Sequence, residues 1–148
     1  MTTTKGRPDS NKAENPVRLA SIGAGMIGHV HARIAAGMNE CEYVALCDEE
    51  PAKSRMAEEL GARYYSDLRR MIDNEKLDGV IVSLPNELHE SVGSVCAESG
   101  LHIMMEKPIA PTVEAAENLI RSANANGVKL LVAHHRRFNP MVVATRDM

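Results

Sequence analysis

Three glycines stand in a G-x-G-x-x-G frame, Gly23-Ala24-Gly25-Met26-Ile27-Gly28, between the apolar run Val17 to Ile22 and a helical pattern. In that place the first glycine permits a tight turn, the second lets main chain approach a pyrophosphate, and the third allows close helix–strand contact. The helix that follows offers unpaired N–H groups and the positive end of its dipole to phosphate oxygens. Alone the frame is a weak signal, because glycines are common in turns. About 20 residues further on, where a dinucleotide site places its ribose acid, Asp48 closes the next apolar run. A carboxylate there accepts hydrogen bonds from both hydroxyls of an adenosine ribose. It also repels a 2′-phosphate, and no arginine immediately follows, so NAD is the expected cofactor and NADP the less favoured one, with Lys53 weakening the preference. Asp48 precedes Glu49, Glu50 and Pro51 and equally fits a helix N-cap.

Further candidates fall at the ends of later apolar runs. Ser83-Leu84-Pro85-Asn86 closes the fourth and opens a helix at Asn86, either as an ordinary capped turn or as a floor beneath the nicotinamide ribose. His89, one turn into that helix, is expected to be solvated. Glu106-Lys107-Pro108 follows the fifth run, where a lysine places its ammonium near a substrate hydroxyl or carbonyl for proton exchange. By itself the tripeptide also fits a solvated loop, stiffened by a proline that is open to a cis bond. His134, His135, Arg136 and Arg137 end the sixth run as a basic cluster, facing cofactor, substrate or solvent. Adjacent histidines on a strand point to opposite faces, so no metal site is expected from them. His29 and His31 are expected near solvent or packed locally, and Met104 and Met105 in the core.

The elements that must position these residues alternate, as in βαβ units. Strands are expected at Val17–Ile22, Tyr43–Cys47, Arg63–Tyr65, Val80–Leu84, Leu101–Met105 and Lys129–Ala133. Helices are expected near Met26–Gly37, Pro51–Leu60, Ser66–Asn74, Asn86–Ser99 and Thr112–Asn126, with Gly61, Gly100 and Gly127 as left-handed caps. On the first helix Met26, Val30, Ile34 and Met38 form one stripe. Gly28, Ala32 and Ala35 form a small-residue stripe that lets the helix lie close to a sheet. Right-handed crossovers then give an α/β fold, a doubly wound parallel six-stranded Rossmann sheet of order 3-2-1-4-5-6 with helices on both faces. Its ligand crevice lies at the carboxyl ends of strands one and four.

Composition agrees. The 148 residues suit one domain, able to bury roughly two thirds of its unfolded surface. With 44% hydrophobic but only 3% aromatic residues, the core must be aliphatic. Seventeen basic against 20 acidic residues, in mixed order, leave no stripe for nucleic acid. Three cysteines without a C-x-x-C pair, beside apolar runs, fit free thiols in the cytoplasm, and no run is long enough to span a membrane. Residues 1–15 read as a disordered polar tail without a signal peptide, and 16–138 as the dinucleotide-binding domain. Residues 139–148 read as the start of a helix, opened by Asn139-Pro140 and with no stop signal, leading to an absent C-terminal domain.

Together, AxxGAGMIGHVHA (Ala20 to Ala32), ALCD (Ala45 to Asp48), SLPNELH (Ser83 to His89), MEKPIAPTVEAA (Met105 to Ala116) and VAHHRRFNP (Val132 to Pro140) strongly resemble the N-terminal half of the glucose-fructose oxidoreductase, inositol dehydrogenase and MocA (Gfo/Idh/MocA) family. The resemblance implies a pyridine-nucleotide oxidoreductase acting on hydroxyls of sugars, cyclitols or diols. It makes Lys107 the catalytic lysine, with Glu106 and Pro108 shaping its turn. Gly23, Gly25, Met26, Ile27, Gly28, Asp48, Ser83, Leu84, Pro85, Glu106 and Lys107 would bind cofactor, Asn86 and His89 would form its edge, and Arg137 would lie near the cofactor or the domain junction.

Members of that family continue into an antiparallel domain that supplies substrate contacts, a histidine paired with the lysine, and the oligomer interface. By that measure the chain is a truncated, NAD-binding half, not catalytically competent alone. Its partner in the complete enzyme is a small sugar or polyol, and a homo-oligomer forms only if the missing domain is supplied. A non-catalytic NAD-binding or regulatory module is the rival reading. A methyltransferase using S-adenosylmethionine fits less well, since its loop usually lacks the third glycine.

Overall fold

The computed structural model describes residues 13–146 and 148. The tail expected at 1–15 therefore lies largely outside the described residues; Ala13 donates its N–H to the Asn39 carbonyl at 3.2 Å.

Six parallel strands form one sheet in the order β3-β2-β1-β4-β5-β6. They are β1 (Val17–Ile22), β2 (Cys41–Cys47), β3 (Arg63–Tyr65), β4 (Gly79–Val82), β5 (His102–Met105) and β6 (Leu130–Val132). The helices are α1 (Met26–Gly37), α2 (Ser54–Glu59), α3 (Leu68–Asn74), α4 (His89–Glu98), α5 (Val113–Ala125) and α6 (Pro140–Arg146).

Alternation along the strands sends side chains to two faces. Ala20, Ile22, Val80, Val82, Ile103 and Met105 meet Met71 of α3, Cys96 and Ala97 of α4 and Leu119 of α5. On the other face Ile81 and Tyr43 meet Ala32 and Ala35 of α1, while Leu46 meets Ala57 of α2. Leu119, Met71 and Met105 are wholly buried. The small-residue stripe of α1 thus lies on the sheet, and Met26, Val30, Ile34 and Met38 stay exposed.

Several boundaries move because pairing between strands, and not local pattern, sets them. β4 begins at Gly79, where an added Cβ would come within 2.9 Å of the His102 carbonyl on β5. β6 stops at Val132: Ala133 still donates to Met105 at 2.8 Å, but His134 turns its N–H back to the Val132 carbonyl. The basic cluster is therefore not on a strand, and His135–Phe138 form a 3-10 turn. The helix expected from Pro51 begins as a 3-10 turn over Pro51–Lys53, and that from Asn86 as one over Asn86–Leu88. Asn86 makes no side-chain cap hydrogen bond, whereas Asp67 and Thr112 cap α3 and α5. Gly61, Gly100 and Gly127 take the left-handed conformation at helix ends.

Candidate functional site

β2 and β4 flank β1, so the chain leaves β1 and β4 in opposite directions and a crevice opens at their carboxyl ends. The glycine loop sits over it. Gly23 has φ +90, and a Cβ there would lie 2.5 Å from the Ser83 carbonyl oxygen. At Gly28 a Cβ would lie 2.1 Å from the Gly23 carbonyl oxygen. Both glycines are required by contact between the loop, the first turn of α1 and the end of β4. Gly25 differs, because a Cβ there would meet nothing within 4 Å. It is the N-cap of α1, has no side-chain cap, and leaves the first N–H groups of a twelve-residue helix open toward an anion. Ser83 supports the loop from below: its N–H donates to the Ile22 carbonyl at 2.8 Å, while its buried hydroxyl has no partner.

Asp48 reaches this loop. Its Oδ2 accepts the Ala24 N–H at 2.7 Å, and its Oδ1 accepts the Glu50 N–H at 2.9 Å. The second bond makes an Asx turn, so Asp48 is not a helix cap; Glu50 takes the cap position of the 3-10 turn. Tyr64 on β3 donates its hydroxyl to the Asp48 carbonyl at 2.6 Å. Each carboxylate oxygen has more than one lone-pair site, so these bonds leave acceptor capacity for ribose hydroxyls. The fit to a dinucleotide is therefore physical: an empty space above Gly25, a free helix N-terminus, and a carboxylate fixed beside them.

Across the crevice, Glu106-Lys107-Pro108 follows β5, with the Lys107–Pro108 bond cis. Glu106 is 5% exposed. Its Oε1 lies 2.8 Å from Nε2 of His31 on α1, and its Oε2 accepts the Lys107 N–H at 2.9 Å. Burial pushes this carboxyl upward, but the hydrogen bonds from His31 and from the Lys107 main chain, with the charges of the same two residues, hold it below the usual carboxylate range. Lys107 itself is exposed and lines a hollow of about 640 Å³ with Met26, Ile27, Glu106, His134 and Arg136. The start of α1, the lysine turn and the basic cluster thus share one space.

His89 departs from expectation. It is 0% exposed, not solvated, with Nδ1 2.8 Å from the Pro108 carbonyl oxygen and Nε2 3.0 Å from that of Leu84. Pro85 and Asn86 are exposed beside it. Arg136 lines the hollow, while Arg137 lies exposed on the same turn, outside the lining. His29 accepts from Arg33 on the surface of α1. His31 and Tyr64 are the site residues that sequence reasoning missed. A signal for His31 existed: Gly28, His31, Ala32 and Ala35 share the i, i+3, i+4, i+7 face that packs on the sheet.

A second hollow, of about 480 Å³, lies at the amino edge between Arg18, Cys41, Glu42, Gly61 and Arg63. Among the described residues no group of three or more His, Cys, Asp or Glu side chains could hold a metal ion, and no helix is long and apolar enough to cross a membrane.

Comparison with known proteins agrees with this geometry. Residues 17–134 match the Gfo/Idh/MocA family, described as an oxidoreductase family with an NAD-binding Rossmann fold. The chain is 33% identical over 130 residues to the rhizopine catabolism protein MocA of Rhizobium meliloti, covering 88% of this chain and 41% of that one. It is 36% identical over 132 residues to D-glucoside 3-dehydrogenase of Escherichia coli (strain K12), covering 87% and 38%. Among solved structures, the WlbA dehydrogenase from Bordetella pertussis, in complex with NADH and UDP-GlcNAcA, superposes with a TM-score of 0.84 at 28% identity, covering 90% of this chain and 41% of that one. The chain therefore spans about two fifths of the length of these relatives, the part that carries their nucleotide-binding fold. By its glycine loop, its sheet order and its match over residues 17–134, the chain belongs to the Gfo/Idh/MocA family of oxidoreductases with the NAD-binding Rossmann fold.

Proposed function

We propose that the crevice binds NAD in preference to NADP, and that Lys107 serves hydride transfer between the nicotinamide and a carbinol carbon of a sugar, cyclitol or diol. The observation that carries this reading is the single hollow shared by the start of the glycine-loop helix and the lysine turn. Bound nicotinamide supplies the hydride-exchanging carbon. The rest falls to the chain. The open side of Gly25 and the α1 N-terminus receive the pyrophosphate, and Asp48 accepts the ribose hydroxyls. Asp48 with exposed Glu49 and Glu50 opposes the charge of a 2′-phosphate.

Lys107 holds its ammonium at the mouth of the hollow, where it exchanges a proton with the substrate hydroxyl. Glu106 fixes the main chain of that lysine through the Lys107 N–H. Sugars as the substrate class are supported by the relatives, among them a D-glucoside dehydrogenase and a dehydrogenase crystallised with a nucleotide-linked sugar. Those relatives are longer, so turnover calls for further protein that closes the substrate side. Cytoplasmic placement and a sugar or polyol partner belong to the same proposal.

Calorimetry with NAD and NADP tests the cofactor half. NAD should bind more tightly, and Asp48→Ala should weaken it by about 10- to 100-fold, the range for hydrogen bonds to a charged group. Equal affinity for the two cofactors removes the role given to Asp48.

A further inference from the structure

The turn that carries Lys107 is held by two imidazoles, His89 wholly buried and His31 with its side chain 12% exposed, that reach it from opposite sides of the sheet. From α1, on one face, His31 Nε2 meets Glu106 Oε1 at 2.8 Å, and the other oxygen of that carboxylate takes the Lys107 N–H. From α4, on the other face, His89 sits between two carbonyls, its Nδ1 2.8 Å from that of Pro108 and its Nε2 3.0 Å from that of Leu84; a ring with one N–H donates to one of them, and a ring with two donates to both. One ring therefore fixes the residue before Lys107 and the other the residue after it. Both anchors also belong to the cofactor crevice: His31 lies one turn beyond Gly28 on the glycine-loop helix, and Leu84 follows Ser83 beneath that loop.

Bulk packing does not explain this arrangement. A wholly buried imidazole without partners is costly, and at His89 an apolar side chain would fill the space at less cost. Each ring instead meets one group of the turn itself, His31 the Glu106 carboxylate and His89 the Pro108 carbonyl. Exposed Lys107 has no hydrogen bond of its own side chain among the described contacts, so the main chain on either side of it is what limits where its ammonium can go.

We propose that His31 and His89 are positioning residues that clamp the Glu106-Lys107-Pro108 turn from the two faces of the sheet and register it to the glycine loop and the end of β4. The proposal rests on the reading of Lys107 as the proton-handling group, but the clamp is measured without cofactor or substrate, so the two fail separately.

Hydrogen exchange on the full chain provides the test. In His31→Leu the Lys107 amide should exchange about tenfold faster, as expected for loss of a charge-assisted acceptor arrangement, while β1 and β4 keep their rates. His31→Gln, whose amide nitrogen still donates to Glu106, should recover most of the protection. In His89→Leu the segments 84–86 and 106–109 should loosen together. Acylation of the Lys107 amine, measured against Lys53 and Lys129 in the same chain, should change in both leucine variants. Unchanged exchange at Lys107 in both variants, or a loss spread evenly over β1 and β4, overturns the clamp and leaves the histidines as ordinary packing. Should the leucine variants not fold, NMR of the native chain decides: each ring must show an N–H proton protected from solvent, and two rings with no such proton overturn the proposal.

Discussion

Asp48 at the end of β2 and Ala24 in the middle of the glycine loop are joined by a 2.7 Å hydrogen bond from the Ala24 N–H to Asp48 Oδ2. The residue assigned to the ribose therefore also fixes the loop assigned to the pyrophosphate. The two functions can be separated by substitution. Asp48→Asn keeps an acceptor for the Ala24 N–H but loses the one for the Glu50 N–H together with the charge, so it should lower the urea midpoint less than Asp48→Ala does and narrow the preference for NAD over NADP. Asp48→Ala should lower both NAD affinity and stability, the latter by about 1–2 kcal/mol for the unpaired loop amide. A preference that survives in Asp48→Asn would show that charge at this position does not discriminate.

Gly25 and Gly28 should respond in opposite ways to the same added methyl group. Gly28→Ala drives a Cβ to 2.1 Å from the Gly23 carbonyl oxygen, so the loop must shift and thermal stability should fall. Gly25→Ala meets nothing within 4 Å and should leave stability near wild type. Its methyl instead fills the space where the pyrophosphate comes close to main chain, so NAD affinity should fall by about tenfold or more. Thermal melts and calorimetry on both variants check the contrast. Loss of stability without loss of affinity in Gly25→Ala would remove the anion from that space.

Acid should weaken the fold through Glu75 as well as Glu106. Burial pushes the Glu75 carboxyl up, but hydrogen bonds from Arg63 and Tyr65 and the charges of Arg63 and Arg18 hold it below the usual range. A folded-state value below the unfolded one, about 4.3 for glutamate, means the stabilisation is complete above that pH and lost as pH falls toward the folded value. Urea midpoints at pH 7 and pH 3 should therefore diverge, and Glu75→Gln should shrink the difference by lowering the neutral-pH midpoint. An equal pH dependence in the variant would assign the acid sensitivity elsewhere.

The thiols should differ in reactivity. Cys47 and Cys96 are buried, and burial pushes them up to about 11 and about 12, so little thiolate forms at neutral pH. Cys41, half-buried at the start of β2, is the thiol that a disulfide reagent should reach first in the native chain. All three should react in denaturant. Fast native labelling of Cys96 would contradict its place on the sheet-facing side of α4.

Much of this structure was legible because its signals are local. Gly23 to Gly28 and Asp48 declare themselves by spacing from adjacent apolar runs, and the alternation of runs and helical patterns leads to the observed sheet order. What escaped depends on distant partners. His31 finds Glu106 across 75 positions, and nothing near His31 names that carboxylate. His89 sits in a stretch that reads as surface helix, and its nearest polar partner on the lysine turn, the Pro108 carbonyl, lies 19 positions away. Arg136 rather than Arg137 lines the hollow because β6 ends at Val132 and the chain turns, which shifts the facing of every residue after it.

On this reading a dinucleotide lies along the carboxyl edge of β1 and β4. Titration of the labelled chain with NAD, followed amide by amide by NMR, tests it most directly. Shifts should gather at 23–28, 48–50, 83–86 and 106–107. Shifts gathered instead around Arg18, Cys41 and Gly61 at the amino edge, or none at millimolar NAD, would contradict it.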